Sequence, residues 1–263
     1  MTPQQGTVSW GEALRVYSRP QVITMLFLGF AAGLPLLLVF STLTAWLRDM
    51  EISRSTIGFF GWVGMTYSIK VFWAPVVDRI KLPVVTRMLG QRRSWILLGQ
   101  LGVILGLVAM VLTDPEVSLY SIAICAVLVA FSSSTQDIAI DAFRIESAVD
   151  EYQGAMSASY ILGYRLAMLV AGAGAFYIAD WSSWETAYLF MAALMLVGIV
   201  TVLLVSEPEH QVPPLAAKVE AGLKHCLHAD QPGLWHRLEA WFVGAVMAPF
   251  VEFFQRNGAW ALM

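Results

Sequence analysis

The chain is 263 residues long, 58% hydrophobic and only 13% charged, with a mean hydropathy of +0.66 and a formal charge of −3. A water-soluble domain carries about 25% charged residues, so a soluble fold would run out of polar surface; the composition is that of an integral membrane protein. No CxxC, HExxH or glycine-rich phosphate loop is present, and Cys125 in an apolar run is set apart from Cys226 in a polar tail, so no disulfide, metal, cofactor or nucleic-acid partner is expected.

Six long apolar runs predict an all-α fold, because in lipid a helix satisfies its own backbone hydrogen bonds. Residues 1–20 are polar and read as a cytoplasmic segment. The run that follows is too long for a removable signal peptide and has no small-residue cleavage site. Span 1 covers Gln21 to Trp46 and carries Gly29-Phe-Ala-Ala-Gly33-Leu-Pro35. Gly29 and Gly33 are spaced for close helix approach, and Pro35 predicts a kink. Span 2 covers Thr56 to Val77; Gly58, Gly61 and Gly64 at three-residue spacing predict another close contact. Lys70 lies inside it, with Val71-Phe72-Trp73 beyond, so a partnered role, functional or structural, is expected.

Asp78, Arg79, Lys81, Arg87, Arg92 and Arg93 form a largely basic connection to span 3, Ser94 to Leu112. Span 4 begins near Ser118 and closes on Ser132-Ser-Ser-Thr-Gln-Asp-Ile-Ala-Ile-Asp-Ala-Phe-Arg144. At 3.6 residues per turn, Ser133, Asp137, Asp141 and Arg144 share one narrow face. A carboxylate at that depth costs roughly 2.5–3.5 kcal/mol on insertion scales, so it is expected to face a bundle interior or a wet cavity. Span 5 covers Ala155 to Ala179, with Gly163, Ala167, Ala171 and Ala175 as a packing stripe and Arg165 beside it. Span 6 covers Thr186 to Val205 and stops at Ser206-Glu-Pro208.

Lys and Arg concentrate before span 1, in the 2–3 connection and after span 6, whereas the 3–4 and 5–6 turns have none and the 1–2 turn has only Arg48 and Arg54. The positive-inside rule then places both ends of the six-span unit, 21–208, in the cytoplasm. Residues 209–258 read as a cytoplasmic linker. Its scattered His225, His228 and His236 lack metal-ligand spacing, and Leu234, Leu238, Trp241, Phe242 and Ala245 make an amphipathic face suited to the leaflet surface. Residues 259–263 read as the opening of a truncated seventh span.

Counted at about 1.5 Å per residue, Lys70, Asp137 and Arg165 fall in one depth band. They are expected to form a charge cluster in which Asp137 handles substrate or protons, if spans 2, 4 and 5 are neighbours. Asp141 lies shallower, near Asp78, Arg79 and Arg92, and a structural ion pair at the cytoplasmic rim is expected for it. An aspartyl protease dyad fits poorly, since Asp137 and Asp141 are one turn apart on one helix and no Gly-x-Gly-Asp motif is present. The chain is not expected to be an enzyme.

Several motifs together resemble the muropeptide permease (AmpG) family of the major facilitator superfamily. They are Gly29-Phe-Ala-Ala-Gly-Leu-Pro35, Thr56-Ile-Gly-Phe-Phe60, Lys70-Val-Phe-Trp-Ala-Pro75 with Asp78-Arg79, and Arg92-Arg-Ser-Trp95. The set is completed by Thr135-Gln-Asp-Ile-Ala-Ile-Asp-Ala142, Leu162-Gly-Tyr-Arg-Leu-Ala-Met-Leu169 and the segment from Pro249 to Trp260. Ala74 stands where the superfamily's loop signature usually has glycine.

The resemblance implies the N-terminal six-helix half of a proton-coupled, inner-membrane importer of N-acetylglucosamine–anhydro-N-acetylmuramic acid peptides, serving peptidoglycan recycling and β-lactamase induction. Gln136, in the shared motif, joins Asp137, Lys70, Arg165 and Ser133 as a proton or substrate candidate, and Asp78, Arg79, Asp141 and Arg92 become gate candidates. The missing C-terminal half is then an expected partner. An acetyl-CoA-type carrier and a transport-inactive half-domain are the alternatives.

Overall fold

A computed structural model describes residues 15–113, 118–147 and 150–208, mostly helix, with no strand among them. The predictions for the tail beyond Pro208 lie outside the described residues. Residues 15–70 and 81–208 belong to one compact unit, and Val71–Ile80 belongs to a second and is described by itself. Five helical stretches among the described residues are long and apolar enough to cross a membrane: Pro20–Asp49, Gln91–Val111, Leu119–Ser147, Glu151–Trp181 and Trp184–Leu204.

The first consists of α1 (Pro20–Val39) and α2 (Ser41–Asp49), separated at Phe40, whose φ of −114° and ψ of −97° are not helical. Proline in the first turn suits α1, since that N–H has no helical partner anyway. The predicted kink at Pro35 is displaced, because the helix runs on through Pro35 and breaks five residues later. Hydrogen bonds with two other spans hold the chain on either side of the break. Tyr188 Oη donates to the Leu38 carbonyl at 2.7 Å, and Thr42 Oγ1 donates to the Ala171 carbonyl at 2.9 Å. Without such donors, a bare carbonyl in lipid would cost several kcal/mol.

Span 2 is not one helix. It is α3 (Arg54–Phe59), a 3₁₀ turn (Phe60–Trp62), α4 (Val63–Ser68), a second 3₁₀ turn (Ile69–Phe72) and, in the separately described segment, α5 (Ala74–Arg79). Ser53 caps its start by accepting the Thr56 N–H at 3.3 Å. Glycine is a poor helix interior residue, and its three-residue spacing here matches the three residues per turn of 3₁₀ geometry. The close contact expected at these glycines is corrected. Among the described residues, Gly64 meets the Phe40 ring at 3.1 Å, while a Cβ on Gly58 or Gly61 would find nothing within 4 Å.

After α6 (Val85–Leu89), α7 (Gln91–Val111) and α8 (Leu119–Ser147) form an antiparallel pair. Gly99, Gly102 and Gly106 of α7 receive Gln136, Ser132 and Val129 of α8 so closely that any Cβ would clash. Span 5 is α9 (Asp150–Leu169), a single π turn (Val170–Gly174) and α10 (Ala175–Trp181). It lies parallel to span 1. Gly29 faces the Tyr160 carbonyl, Gly33 the Tyr164 backbone, and Gly163 the backbone of Leu26 and Phe30. The π turn frees backbone carbonyls, and Thr42 takes one of them. Span 6 is α11 (Trp184–Leu194) and α12 (Leu196–Leu204), with Ser183 accepting the Thr186 N–H at 3.2 Å as cap. It runs antiparallel to span 1, with Gly198 against Ala31 and Tyr188 against Leu38. The core of the bundle is largely aliphatic, with Trp46, Phe60 and Tyr188 buried in it and the Trp46 and Tyr188 ring centroids 4.8 Å apart.

These contacts fix the number of crossings. The Arg19 guanidinium lies 5.6 Å from the Tyr152 ring centre, Arg144 at the end of α8 donates to Ser157 near the start of α9 at 2.6 Å, and Arg92 at the start of α7 pairs with Glu146 at 2.8 Å. Glu207, just past α12, binds the first turn of α7. Both ends of the 20–207 stretch therefore sit at one end of the bundle. Five crossings would separate them, so the broken segment after α2 is a sixth pass.

Candidate functional site

Lys70 and Asp137 are brought together: Nζ lies 3.9 Å from Oδ2, with the lysine side chain 38% exposed and the aspartate 13%. The second 3₁₀ turn supplies the lysine and the middle of α8 the carboxylate. Tyr67 on α4 and Tyr160 and Tyr164 on α9 stand within electrostatic range of Asp137. The Tyr67 hydroxyl comes beside the buried Ser133 without a well-formed hydrogen bond, and Asp137 Oδ1 has no partner either. The site is thus a half-satisfied carboxylate among three phenols and one lysine. It has acceptor capacity to spare, and a buried polar atom without a partner calls for an explanation.

Arg165 does not join this cluster, which corrects the three-member expectation. The residue is exposed and makes no ion pair among the described residues. The reason is angular. Arg165 is two residues from both Gly163 and Ala167, which are buried against α1, and two residues turn a helix by about 200°. The stripe that draws α9 onto α1 necessarily points Arg165 away.

Gln136 is fully buried, but in the α7–α8 seam against Gly99 rather than beside Lys70. Its amide atoms and those of Gln100, which packs against Gly198 of α12, have no hydrogen-bond partner among the described residues.

The rim is wired differently from the sequence expectation. Asp141 is 52% exposed and pairs with Arg144 on its own helix at 3.5 Å, not with Arg92. The Arg92 guanidinium instead holds Glu146 through two nitrogens, Nε to Oε2 at 3.1 Å and Nη2 to Oε1 at 2.8 Å, a two-pronged geometry that favours arginine. The Glu207 carboxylate accepts the N–H groups of Arg92 at 2.6 Å and Arg93 at 3.1 Å, and so caps α7. Arg93 answers by donating to the carbonyls of Val202 and Leu203 at 2.8 and 3.0 Å, and so caps α12. Gly90, with φ of 94°, is required between them, because a Cβ there would strike the Glu207 side chain.

Sequence reasoning missed Arg93, Glu146 and Glu207 in these roles. The available signal was Ser206-Glu-Pro208 at a span's end, one acid among the exposed carbonyls and opposite a basic connection. Asp78 and Arg79 close α5 in the separately described segment. Among the described residues, no group of three or more His, Cys, Asp or Glu is placed to hold a metal ion.

The sequence profile described as Major Facilitator Superfamily matches residues 25–262. An anhydromuropeptide permease of Escherichia coli K12 is 38% identical over 251 residues, covering 95% of this chain and 45% of the permease. A Rickettsia felis protein named AmpG 4 is 37% identical over 197 residues, covering 74% of this chain and 47% of that protein. An uncharacterized Haemophilus influenzae protein is 35% identical over 245 residues, covering 93% and 51%. The chain spans about half the length of the curated relatives it matches.

Proposed function

The chain belongs to the Major Facilitator Superfamily, and from that premise we propose that it forms the N-terminal six-helix half of a carrier for anhydro-muropeptides. The carrier works in the bacterial inner membrane, with the Arg92–Glu146 rim in the cytoplasm, and is driven by protons. A likeness to the Escherichia coli anhydromuropeptide permease over 95% of the chain supports the substrate class. The crowding of Lys and Arg at the rim end supports the orientation.

The observation that carries the reading is the Lys70–Asp137 pair on elements that cross the membrane, with one carboxylate oxygen unpartnered. Ionisable groups inside spans are costly and mark ion or substrate pathways by default. A pair at 3.9 Å is loose enough to open, and an opened carboxylate can take a proton or a donor group of the solute in place of the ammonium. Asp137 is the proton-responsive group in this reading and Lys70 its alternating partner. Tyr67, Tyr160 and Tyr164 are positioned to hydrogen-bond the solute.

Carriers of this architecture bind solute between two six-helix halves that rock against each other, so transport requires a second half. In a two-half protein, Asp137→Asn is expected to abolish pH-driven accumulation of labelled muropeptide while leaving counterflow exchange in place. Normal accumulation with a normal pH profile in a normally expressed variant would overturn the coupling role. Residues 1–263 alone are expected not to restore uptake in a permease-null host, and restoration at full rate would show that two copies of this chain make a working carrier.

A further inference from the structure

A recess with a mixed, largely apolar lining lies at the end of the bundle opposite the Arg92–Glu146 rim. It is a cavity of about 460 Å³ lined by residues of α1, α2 and α3, among them Arg48, Arg54, Ser41, Thr44, Gly58 and Gly61. Apolar side chains, such as Val39, Ile57 and Phe60, complete its walls. Its volume falls in the range of about 300–1,000 Å³ typical of small-molecule sites.

Three observations converge on a ligand. Arg48 and Arg54 make no ion pair or side-chain hydrogen bond among the described residues, although two acids are near in sequence. Asp49 accepts the Trp184 indole N–H at 2.9 Å, Glu51 occupies a left-handed turn at φ of 58°, and neither lines the recess. Two arginines without such partners among the described residues therefore line one cavity together with a serine and a threonine.

The arginines also stand where topology disfavours them. The other two turns at that end carry no Lys or Arg, in keeping with the rule that basic residues gather on the opposite side. Finally, the glycines of α3 and the turn after it serve no helix packing among the described residues. A Cβ on Gly58 or Gly61 would meet nothing within 4 Å, and both line the cavity. Their effect is to leave room.

We infer that this recess is an outer-face binding site for the carboxylate of a sugar-peptide, with Arg48 and Arg54 gripping the anion and Ser41 and Thr44 hydrogen-bonding the adjoining polar groups. Guanidinium groups match a carboxylate two-prongedly, and the apolar wall suits the N-acetyl or alanyl methyl groups beside it. The inference rests on the proposed orientation and solute class. It adds a first docking point, reached before the solute comes to Asp137.

The test uses the full chain in phosphatidylcholine nanodiscs and needs no transport. Isothermal titration with N-acetylmuramoyl-alanyl-isoglutamine is compared with its carboxamide, which lacks the charge. Binding of the acid and not the amide is expected. Arg48→Gln with Arg54→Gln is expected to weaken the acid at least about tenfold, and the Lys pair to weaken it less. Both arginines are exposed and unpartnered, so thermal unfolding of the Gln variant should match the parent. Gly58→Leu, built into open space, provides a second arm by filling the recess, and it too should weaken binding.

Equal binding of acid and amide, or an unchanged affinity in either the Gln variant or Gly58→Leu, would overturn the site. Loss of acid binding in discs that contain phosphatidylglycerol would assign the arginines to lipid phosphates and overturn it as well. The acid-against-amide comparison in the arginine variants reads the recess without any transport step. Failure of coupled uptake alone would therefore remove the proposed function and not the recess.

Discussion

Lys70 and Arg165 look equivalent in the sequence, two cations inside apolar runs, and the structure separates them. Lys70 neutralises Asp137, a side chain only 13% exposed, so Lys70→Ala leaves a largely buried carboxylate unpaired. Removing one partner of a buried pair costs about 3–5 kcal/mol, and the lysine's own exposure of 38% brings the expected cost down to roughly 1–2 kcal/mol. Arg165 is exposed on the outer side of α9, and Arg165→Ala should stay within about 0.5 kcal/mol of the parent. Thermal unfolding of the two variants in one detergent checks the order. A larger loss from Arg165→Ala would restore the three-member cluster and remove the angular account given for it.

Among the elements, glycine does two opposite jobs. At Gly163 it lets α9 touch the backbone of α1, and a Cβ would collide with the Leu26 carbonyl, a rigid group. Gly163→Ala should therefore cost on the order of 1–3 kcal/mol by overpacking. At Gly58 the same substitution meets open space and improves helix propensity, so it should be neutral or stabilising by up to about 1 kcal/mol. Helix content and unfolding midpoint, measured side by side, distinguish the two. Losses of similar size at both positions would mean that span 2 packs tightly after all. The paired caps at the rim belong to this scale too. Glu207 on α7 and Arg93 on α12 each complete the other's helix end, which ties spans 3 and 6 at the rim, while Gln100 against Gly198 joins them nearer their centres.

At the scale of the bundle, the parity of crossings is the strongest statement, since Arg19 and Glu207 lie at the same end although the described residues hold five helical stretches long and apolar enough to span. A periplasm-active reporter fused after Pro208 should be silent, and one fused after Thr113, at the end of span 3, should be active. Activity at both positions would show that the broken segment does not cross. The inactive 208 fusion also fixes the absolute orientation, which internal contacts leave open because they are the same whichever face meets the cytoplasm.

Composition and apolar run length were enough to set the class and to mark five of the six apolar runs as long helices, because lipid imposes one rule on every span: backbone groups must be satisfied within the helix. The small-residue pattern of Gly29, Gly33 and Gly163 was also legible, since only residues without bulk let two backbones meet. The family was legible from its motifs, and residues 25–262 match the superfamily profile. Tertiary structure decided the rest. It turned Arg165 outward, broke span 2 into short turns, and gave Arg92 to Glu146 rather than to Asp141. Sequence gives a residue's depth along its own helix, whereas an ion pair needs the rotation of that helix about its axis, and the neighbours it packs against set that rotation.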